Sequence, residues 1–541
     1  MTSPRPDLTH PPDLAHQRRT GPLRLQRPEY VDLLPPCNQV CPAGEDIQGW
    51  LALVEAGRLE DAWRHLMRDN PMPAVHGRVC YHPCETSCNR GQLDSAVSIH
   101  AVERFLGDRA REANWKVAPD APPSGKRVLV VGAGPSGLSA AYHLARLGHT
   151  VEVHEAGPIA GGMMVFGIPA YRLPRSVLAD EVRRIEEMGV RFVFDHKVTD
   201  LLVEKRDGAF DAVFLAIGAH IGKRTEIPAR DAGKILDAVS FLRAASAGTA
   251  PKLGRRVAIY GGGNTAMDTA RTAKRLGYEP LVIYRRDREH MAGAPEEADE
   301  AVEEGIKIHW LRTIKTIDAT SFTVEVMKLD ANGRPQPTGQ LETIEADALV
   351  LALGQDVDTG FLKDVDGLAM QKDGTIVVTP NLMTGHDGIF AGGDMVPSER
   401  TVTVAVGHGK KAARSIDAYL RGETPVVAKK HPLATFDILH LPFYTDAARR
   451  QQQRAEAERR VASFEEVVSG LGEPEATFEA KRCLSCGNCY ECDGCYAACP
   501  EDAIIKLGPG KRYRYDFDRC TGCAICFEQC PCHAIAMRPE P

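Results

Sequence analysis

Two cysteine runs near the end of the chain restrict its possible folds more than any other feature. Each run has the spacing C-x₂-C-x₂-C-x₃-C and is followed directly by a proline. The runs are Cys489, Cys492, Cys495 and Cys499, and then Cys520, Cys523, Cys526 and Cys530. Thiolates at this spacing bind four-iron clusters, and the fourth cysteine of each run binds the cluster of the other run. The segment 483–541 is therefore predicted to hold two such clusters.

The exchange of the fourth cysteine predicts two ligand sets. The first set is Cys489, Cys492, Cys495 and Cys530. The second set is Cys520, Cys523, Cys526 and Cys499. Zinc is the alternative metal because its sites also use C-x₂-C pairs. The doubled runs and their prolines favour a bacterial ferredoxin-like domain with two 4Fe-4S clusters. The neighbouring Cys532 fits no ligand position and is interpreted as a free thiol.

The remaining cysteines are distributed unevenly along the 541 residues. Five lie between Cys37 and Cys88, eleven lie between Cys483 and Cys532, and none lies from Asn89 to Arg482. Disulfide scaffolds are typical of small secreted domains. This chain is long, has no apolar signal segment and has no apolar run of the roughly 18 residues that span a membrane. We therefore predict a cytoplasmic protein whose cysteines bind metal. Its net charge of −7 gives no basic footprint for nucleic acid.

The segment "RVLVVGAGPSGLSAAYHLARLGHTVEVHEA" predicts a strand, a glycine turn, a helix and a second strand. Gly132, Gly134 and Gly137 form a G-x-G-x-x-G turn directly after the first strand. Such a turn lets the backbone approach a pyrophosphate, which then lies at the positive end of the helix. Glu155 ends the second strand, where a carboxylate accepts a hydrogen bond from a ribose hydroxyl. This unit is predicted to bind a dinucleotide.

A second unit of this kind begins at Arg256 with "RVAIYGGGNTAMDTARTAKRLGYEPLVIYRR". Its turn residues predicted to bind the nucleotide are Gly261, Gly263, Asn264 and Ala266. The second strand ends in Arg285 and Arg286 instead of an acidic residue. An arginine there accommodates the 2′-phosphate of NADP, whereas an acid would repel it. The pattern favours NADP over NAD; the alternative is that both arginines are solvated surface charges.

Two dinucleotide folds in one chain indicate two dinucleotides, one of them a flavin. The segment "GIFAGGDMVPSERTVTVAVGHGKKAARSIDAYL" resembles the returning FAD-binding motif of flavoproteins with two dinucleotide domains. By that resemblance Gly393 and Asp394 bind the flavin, and Asp394 hydrogen-bonds its ribityl–phosphate chain. Many such flavoproteins reduce a nearby disulfide, but no thiol lies between Asn89 and Arg482. Electrons are therefore expected to leave for metal clusters.

From about residue 31 to residue 425, the chain resembles the small (beta) subunit of NADPH-dependent glutamate synthase and its relatives. These include the electron-input half of dihydropyrimidine dehydrogenase and NADPH:ferredoxin oxidoreductase subunits. The motifs that carry the resemblance are "GRVC", "VGAGPSGLSAA", "GGMMVFGIPAYRLPR", "GGGNTAMD", "YRR" and "AGGD". Members of this family bind FAD, NAD(P)H and two N-terminal four-iron clusters. The resemblance adds Gly162, in the third motif, to the expected flavin site.

The family pattern begins with C-x-x-C-G, which is missing before Cys37. A matching "CLSCG" and a lead-in segment, "FEEVVSGLGEPEATFEA", precede the ferredoxin-like block instead, so the chain resembles a permuted member of the family. By this resemblance one N-terminal cluster uses Cys37, Cys88, Cys483 and Cys486. The other uses Cys41, Cys80 and Cys84 with Glu103 as a non-cysteine ligand. The alternative is that Cys483 and Cys486 are stray thiols beside the ferredoxin-like domain.

The fold class predicted from these patterns is α/β, with two Rossmann-like domains between an α-helical iron–sulfur domain and a ferredoxin-like domain. A disordered arm is predicted for 1–30, the helical domain for 31–120, and the FAD domain for 121–230 with 355–425. The NAD(P) domain is predicted for 231–354, a linker with a helix that packs on the N-terminal domain for 426–482, and the ferredoxin-like domain for 483–541.

The predicted function is an NAD(P)H oxidoreductase subunit that passes electrons through FAD and 4Fe-4S clusters to ferredoxin or a partner subunit. The resemblance fits the NAD(P)-linked subunits of 2-oxoacid:ferredoxin oxidoreductases, so the expected partners are catalytic subunits of such a complex. The alternatives are a free-standing NADPH:ferredoxin oxidoreductase and the electron-donor subunit of a glutamate synthase. An alternative of another class is a non-catalytic iron–sulfur docking module.

Overall fold

The computed structural model describes residues 24–223, 227–228, 234–424 and 430–540. The N-terminal part is helical, as the apolar spacing predicts. Its elements are β1 (Gln26–Tyr30), α1 (Pro36–Val40), α2 (Ile47–Glu55), α3 (Leu59–Leu66), α4 (Pro73–Val79), α5 (Pro83–Thr86) and α6 (Ile99–Glu112). A short 3₁₀ helix, Asn89–Gln92, lies between α5 and α6.

A parallel sheet follows, with strand order β16-β5-β2-β3-β4, in which β16 (Ile389–Ala391) comes from later in the chain. The elements that build it from the first half of the chain are β2 (Arg127–Val131), α7 (Pro135–Arg146), β3 (Thr150–His154), α8 (Met163–Phe166), α9 (Arg175–Glu186), β4 (Arg191–Val193), α10 (Leu201–Asp207) and β5 (Ala212–Leu215). All four residues of β5 are buried, as are Val128–Val131 of β2. Such continuous burial is typical of parallel strands covered on both faces.

A second parallel sheet has the strand order β10-β9-β8-β14-β7. Its elements are β7 (Lys234–Asp237), α11 (Ala238–Ser246), β8 (Arg256–Tyr260), α12 (Asn264–Arg275), β9 (Glu279–Tyr284), α13 (Pro295–Glu303), β10 (Lys307–Trp310) and β14 (Ala348–Leu351). An antiparallel sheet of β11 (Arg312–Ile317), β12 (Ser321–Leu329) and β13 (Pro335–Glu345) is inserted before β14. The short strands β6 (Ile221–Gly222) and β15 (Gln355–Asp356) pair where the chain crosses between the two sheets.

The chain then returns to the first sheet. Its elements there are 3₁₀ helices at Gly360–Leu362 and Gly393–Met395, β16 (Ile389–Ala391) and α14 (Val402–Arg421). The last part contains 3₁₀ helices at Phe436–Ile438 and Leu441–Phe443, α15 (Ala457–Ala462), α16 (Glu473–Lys481), α17 (Gly494–Ala498), β17 (Ile504–Lys506), β18 (Tyr513–Tyr515), α18 (Ile525–Glu528) and β19 (Ile535–Pro539). The predicted α/β class, with parallel dinucleotide-type sheets, is confirmed.

Helix α16 shares a core with the N-terminal helices. Its Ala476 and Ala480 pack in one buried cluster with Trp50 and Leu51 of α2 and with Val102 of α6. The cluster joins the two ends of the chain, because its N-terminal and C-terminal residues lie more than 350 positions apart in sequence. The lead-in segment is helical only over Glu473–Lys481, since Gly470 and Gly472 precede it and Pro474 stands in its first turn.

The prediction of a disordered arm over 1–30 is wrong for its last five residues. Strand β1 pairs antiparallel with β19, from Gln26 opposite Pro539 to Tyr30 opposite Ile535. This strand could not be predicted from the sequence because Pro28 lowers its strand propensity. Proline lacks a backbone N–H, which is tolerated here because β1 is an edge strand of a two-stranded ribbon. Residues 1–23 lie outside the described part of the chain. Among described residues, no helix is both long and apolar enough to cross a membrane.

Candidate flavin, nucleotide and iron–sulfur sites

A cavity of about 700 Å³ lies at the carboxyl ends of the first sheet's strands and reaches the first turns of α12, beside the second sheet. A volume of this size is typical of cofactor pockets. The predicted residues that line it are Gly132, Gly134, Glu155, Gly162, Gly393, Asp394 and Asn264. Gly137, Gly261, Gly263, Ala266, Arg285 and Arg286 do not line it directly. The fold therefore brings both glycine turns toward one cavity.

The first glycine turn can be built only from glycine at two of its positions. Gly132 has φ +102°, and a Cβ there would lie 2.5 Å from the carbonyl oxygen of Ala216, directly after the neighbouring strand β5. A Cβ on Gly137 would lie 1.9 Å from the carbonyl oxygen of Gly132. Gly134 is the N-cap of α7, and a Cβ there would meet nothing within 4 Å. The space beside Gly134 is open toward the cavity, so the backbone there allows close approach of a pyrophosphate.

Two carboxylates line the cavity in different environments. Glu155 accepts backbone N–H groups from Ala133 at 2.8 Å and Gly157 at 2.8 Å, so its orientation is fixed. Asp394 is half-buried, and burial raises the pKa of its carboxyl to about 6. The charge of Arg400 opposes this shift. Each carboxylate is an acceptor for a hydroxyl donor in the cavity, and the ribose and ribityl hydroxyls of FAD are such donors.

The start of α14 completes the flavin side of the cavity. Thr401 caps this helix, its side chain accepting the N–H of Val404 at 3.2 Å. Thr401, Val402 and Ala405 all line the cavity. The free N–H groups and the positive dipole end of a helix stabilise negative charge placed against them. The turn, the two carboxylates and this helix together form a donor and acceptor set that fits FAD.

The second glycine turn starts α12 in the same way. Gly263 is the N-cap of α12, and the Asn264 side chain accepts the N–H of Ala294 at 2.7 Å. Arg285 is exposed, and the Nε atom of Arg286 is buried without a hydrogen-bond partner among the described residues. The positive charge of these two arginines at the end of the second strand fits a 2′-phosphate.

Sequence reasoning assigned no role to a buried ion-pair network between the two sheets. Arg172, in the "YRLP" turn, donates to both carboxylate oxygens of Asp268 at 2.9 Å and lies 2.6 Å from Glu297. Asp268 belongs to α12 and Glu297 to α13. Burial opposes the charge of Arg172, but the two carboxylates raise its pKa well above its ordinary value. The network fixes α12 over the flavin side of the cavity.

The cysteines that the permutation hypothesis joins lie together; we call this set site N1. Cys37, Cys88, Cys483 and Cys486 line one small cavity. Burial raises the pKa of the Cys37 thiol, and the charges of the other three add to the shift. Asn89 Nδ2 donates to the sulfur of Cys486 at 3.4 Å. Thiolates held this close need a metal to offset their mutual repulsion. Four thiols around one small space fit a 4Fe-4S cluster.

Site N2 is the set Cys41, Cys80, Cys84 and Glu103. Burial raises the pKa of Cys80 to about 12, and the charge of Glu103 adds to this shift. Burial also raises the pKa of Glu103 well above its ordinary value, as does the charge of Glu45. Asn70 Nδ2 donates to Glu103 at 2.7 Å and to Glu45 at 3.0 Å. A buried carboxyl beside three thiols is suited to metal coordination, since the metal compensates its charge.

The ferredoxin-like sets are also assembled; we call them sites C1 and C2. In site C1, burial raises the pKa of Cys495 to about 12, and the charges of Cys489, Cys530 and Cys492 raise it further. In site C2, Cys499 lines a small cavity with Cys520, Cys523 and Cys526. The fourth cysteine of each run therefore lies with the other run, which is the arrangement that the doubled motif predicts.

Each of the four sites contains a cysteine sulfur that accepts a backbone N–H. The donors are His82 to Cys80 at 3.3 Å, Ser485 to Cys483 at 3.4 Å, Ala534 to Cys530 at 3.2 Å, Gly522 to Cys520 at 3.4 Å and Ala503 to Cys499 at 3.3 Å. Hydrogen bonds to ligating sulfur stabilise the negative charge of a cluster and are one of the factors that set its potential.

The loops of sites C1 and C2 repeat the same unusual backbone. Glu491 and Asp493 have φ of 61° and 65°, and the equivalent Gly522 and Ala524 have φ of 71° and 66°. A left-handed conformation costs free energy at non-glycine residues and persists only where the surroundings enforce it. Both loops are therefore held in a curled form around their cysteines.

The sixteenth cysteine is buried between two of these sites. Cys532 Sγ lies 3.9 Å from the sulfur of Cys530 and donates to the carbonyl oxygen of Asn488 at 3.1 Å. Its own carbonyl accepts the N–H of Gly487 at 2.6 Å. It contacts the link between Cys486 and Cys489, although it belongs to neither predicted ligand set.

Two family models match the chain. The model for pyridine nucleotide-disulphide oxidoreductases matches residues 126–409, more than half of the chain. The model described as dihydropyrimidine dehydrogenase domain II, 4Fe-4S cluster, matches residues 33–115. The matched oxidoreductase region contains no cysteine, so the disulphide of the family name has no counterpart there. The predicted cofactor classes, FAD with a nicotinamide nucleotide and 4Fe-4S clusters, are confirmed by these matches.

Three curated relatives illustrate the similarity. The NADP(+)-dependent formate dehydrogenase subunit beta of Moorella thermoacetica is 36% identical and covers 83% of this chain and 70% of the relative. The NADPH-Fe(3+) oxidoreductase subunit beta of Geobacter sulfurreducens is 34% identical, with 83% and 75% covered. The glutamate synthase [NADPH] small chain of Azospirillum brasilense is 33% identical, with 73% and 88% covered. The chain belongs to the pyridine nucleotide-disulphide oxidoreductase family, among the glutamate synthase small chain-like redox enzymes that use NAD(P)H, FAD and 4Fe-4S clusters.

Proposed function

We propose that this chain is the electron-input subunit of a redox complex, with NADPH as its nucleotide and four 4Fe-4S clusters at sites N2, N1, C1 and C2. When bound, the flavin exchanges two electrons with the nicotinamide and single electrons with clusters. The chain itself positions these groups and excludes solvent between them. The observation that carries the proposal is the arrangement of the four cysteine sets in one continuous series that starts at the cavity.

Site N2 is the set that adjoins the cavity. Val79 and Tyr81, the neighbours of Cys80 in sequence, both line the cavity. Thr403, in the first turn of α14, lies close enough to Cys80 to oppose the rise in the pKa of its thiol. The helix that forms the flavin side of the cavity therefore lies beside a proposed cluster ligand. This proximity supports entry of electrons at site N2.

Each of two short segments contributes one cysteine to site N2 and one cysteine to site N1. Cys37 of N1 lies in α1, and Cys41 of N2 is the C-cap of the same helix. Cys84 of N2 lies in α5, and Cys88 of N1 follows four residues later. Residues four apart along a helix, such as Cys37 and Cys41 at the end of α1, have Cβ atoms about 6 Å apart. The charge of Cys37 adds to the raised pKa of Cys84, after burial, Glu85, Cys80 and Cys41. This spacing supports transfer between N2 and N1.

Sites N1 and C1 are joined by the backbone. Cys486 of N1 and Cys489 of C1 are separated by Gly487 and Asn488 only. Three peptide units span about 11 Å at most. Sites C1 and C2 are in turn interleaved by the exchange of Cys499 and Cys530. The series therefore ends at C2, where Cys523 is exposed at the surface, as is Cys492 of C1. This exposure supports exit of electrons from the ferredoxin-like domain, and the end position of C2 in the series favours C2.

The partner that we propose is the catalytic subunit of a 2-oxoacid oxidoreductase, because an NAD(P)-linked flavoprotein with an appended ferredoxin-like block resembles the NAD(P)-linked subunits of that class. A formate dehydrogenase catalytic subunit is the second candidate, because a formate dehydrogenase beta subunit is 36% identical to the chain. Purification of the native complex separates the two. A thiamine diphosphate enzyme in the complex supports the first, and a formate dehydrogenase catalytic subunit supports the second.

Single-turnover reduction with NADPH tests the order of the sites. In the anaerobic protein, NADPH is expected to bleach the flavin absorbance and to produce EPR signals of reduced clusters. The variant Cys84→Ser, at N2, should still bleach but should reduce C1 and C2 at least about tenfold more slowly. The matched variant Cys523→Ser, at C2, should leave reduction of N1 unchanged. Wild-type cluster reduction in Cys84→Ser would contradict entry at N2.

A further inference from the structure

Two histidines and two glutamates, His154, His196, Glu152 and Glu204, meet beside Glu155. His154 ends β3, His196 follows β4, and Glu204 lies on α10. Glu204 Oε1 is 3.1 Å from His154 Nδ1 and 3.0 Å from His196 Nε2. Glu152 Oε1 is 2.8 Å from the other ring nitrogen of His154. None of these contacts belongs to the proposed electron path.

A neutral His154 carries too few N–H groups to donate a hydrogen bond to both of its carboxylate neighbours, Glu152 and Glu204. A neutral imidazole carries one N–H, which here can donate to Glu152. The lone pair of Nδ1 then faces the lone pairs of Glu204. The His154 side chain is 5% exposed, and Nδ1 makes no hydrogen bond of acceptable geometry in the described structure. An additional positive charge is therefore required between Nδ1 and Glu204, either a proton or a metal ion.

Comparison with a similar cluster favours the metal ion. Glu85 also lies between two histidines, with His100 Nδ1 at 2.6 Å, but it has an arginine partner, Arg449. Glu204 contacts His154 and His196, and no lysine or arginine pairs with it among the described residues. The positive charge that Arg449 supplies to Glu85 is thus missing at Glu204.

We propose that His154 Nδ1, His196 Nε2 and Glu204 Oε1 bind one divalent cation of the zinc type. Two imidazoles and a carboxylate are a typical zinc ligand set. Tetrahedral zinc with bonds of 2.0–2.1 Å separates its ligands by roughly 3.4 Å. The present separations of 3.0 and 3.1 Å need to increase by only a few tenths of an ångström. The site is open to a fourth ligand, because His196 is 40% exposed and Glu204 24% exposed.

Glu152 has the position of a supporting carboxylate. A metal-bound histidine usually donates its second N–H to a carboxylate, which fixes its tautomer. Glu152 accepts from His154 Nε2 and is itself 3.2 Å from Arg191. Bound metal would hold the loop of His196 against the end of β3, next to Glu155. His154 and His196 also line the central cavity.

The test is a zinc titration of the cluster-loaded, chelator-treated protein by calorimetry. Wild type is expected to bind one equivalent of Zn²⁺ and to melt at a higher temperature in its presence. His196→Ala, which removes a side chain that is 40% exposed, should lose this binding. Glu152→Gln should bind about 10- to 100-fold more weakly. The control His290→Ala removes an exposed histidine 2.7 Å from Asp287 and should bind as wild type does.

Zinc-edge X-ray absorption identifies the ligands independently of affinity. The site predicts nitrogen and oxygen neighbours only. Sulfur neighbours would mean that the metal sits on cysteines and would overturn the proposal. The proposal is also overturned if wild type binds no Zn²⁺, or if His196→Ala binds as much as wild type.

Discussion

Cys37 and Cys483 line one small cavity, although they stand near opposite ends of the chain. Cys88 and Cys486 complete the set. Helix α16, which leads into Cys483, packs in the core of the N-terminal helices. A cluster at this position would fasten the ferredoxin-like domain to the N-terminal domain and would join two pairs of redox sites.

The variant Cys483→Ser, Cys486→Ser is expected to lose about four irons per chain, because two of four thiolates are removed from one cluster. Iron and labile sulfide analysis of anaerobically purified protein measures the loss. The C1 and C2 signals in EPR spectra should remain after chemical reduction.

The matched control for this variant is Cys532→Ala. Cys532 is buried close to the same segment but belongs to no predicted ligand set. Its iron content should equal that of wild type. Equal iron in wild type and in the double serine variant would show that Cys483 and Cys486 bind no cluster.

Two alanine substitutions in the first glycine turn should separate folding from flavin binding. Gly132→Ala places a side chain at φ +102° and 2.5 Å from a carbonyl oxygen, so it should destabilise the fold by about 1–3 kcal/mol and release flavin. Gly134→Ala meets no protein atom within 4 Å, so it should keep the melting temperature and lower FAD affinity alone. Flavin content and thermal melting measure the two effects. Equal losses of stability in both variants would contradict this division.

Charge removal at the end of β9 should change nucleotide preference. The double variant Arg285→Gln, Arg286→Gln is expected to raise the KM for NADPH by about tenfold, since the 2′-phosphate loses its positive neighbours. The KM for NADH should stay within about twofold because NADH has no such phosphate. Steady-state viologen reduction with each nucleotide is the measurement. A parallel loss with both nucleotides would mean that the arginines act on structure and not on selectivity.

The ionised carboxylate of Asp394 is expected to destabilise the flavin-free protein and to stabilise the flavin-loaded protein. Burial raises its folded-state pKa to about 6, above its ordinary value, so the folded state binds more protons than the unfolded state in the window between these values. Stability of the flavin-free protein therefore falls as pH rises through about 4 to 6, and the penalty above this window is on the order of 3 kcal/mol.

Asp394→Asn removes this penalty. At pH 7.5 the flavin-free variant should melt at a higher temperature than wild type, and the difference should shrink toward pH 5. With FAD bound the order should reverse, because the carboxylate is the stronger acceptor for a hydroxyl donor. Melting curves at both pH values, with and without FAD, make the comparison. An unchanged order with FAD would remove Asp394 from the flavin site.

Much of the site could be predicted because its sequence motifs either determine the local backbone or occur twice. The glycine turns determine their own backbone, and the repeated cysteine run implies the exchange of Cys499 and Cys530 without any knowledge of the fold. The link from Cys483 to Cys37 could be predicted from the family resemblance, because "CLSCG" matches the C-x-x-C-G that is missing before Cys37.

Other features depend on contacts that no short pattern encodes. Strand β1 is stabilised by its pairing with β19 and by Arg24, whose guanidinium lies 2.6 Å from Glu540. Arg172 meets Asp268 only when the two sheets pack together. His154 and Glu204 are brought together by the position of α10 beside β3. Each of these contacts joins segments whose proximity follows from the complete fold.

Iron counting on the anaerobically purified wild-type protein tests the central claim most directly. Four 4Fe-4S clusters predict roughly sixteen irons and sixteen labile sulfides per chain, all reducible through added NADPH once flavin is bound. Roughly eight irons would mean that only C1 and C2 hold clusters, and would contradict the continuous series from the cavity to Cys523.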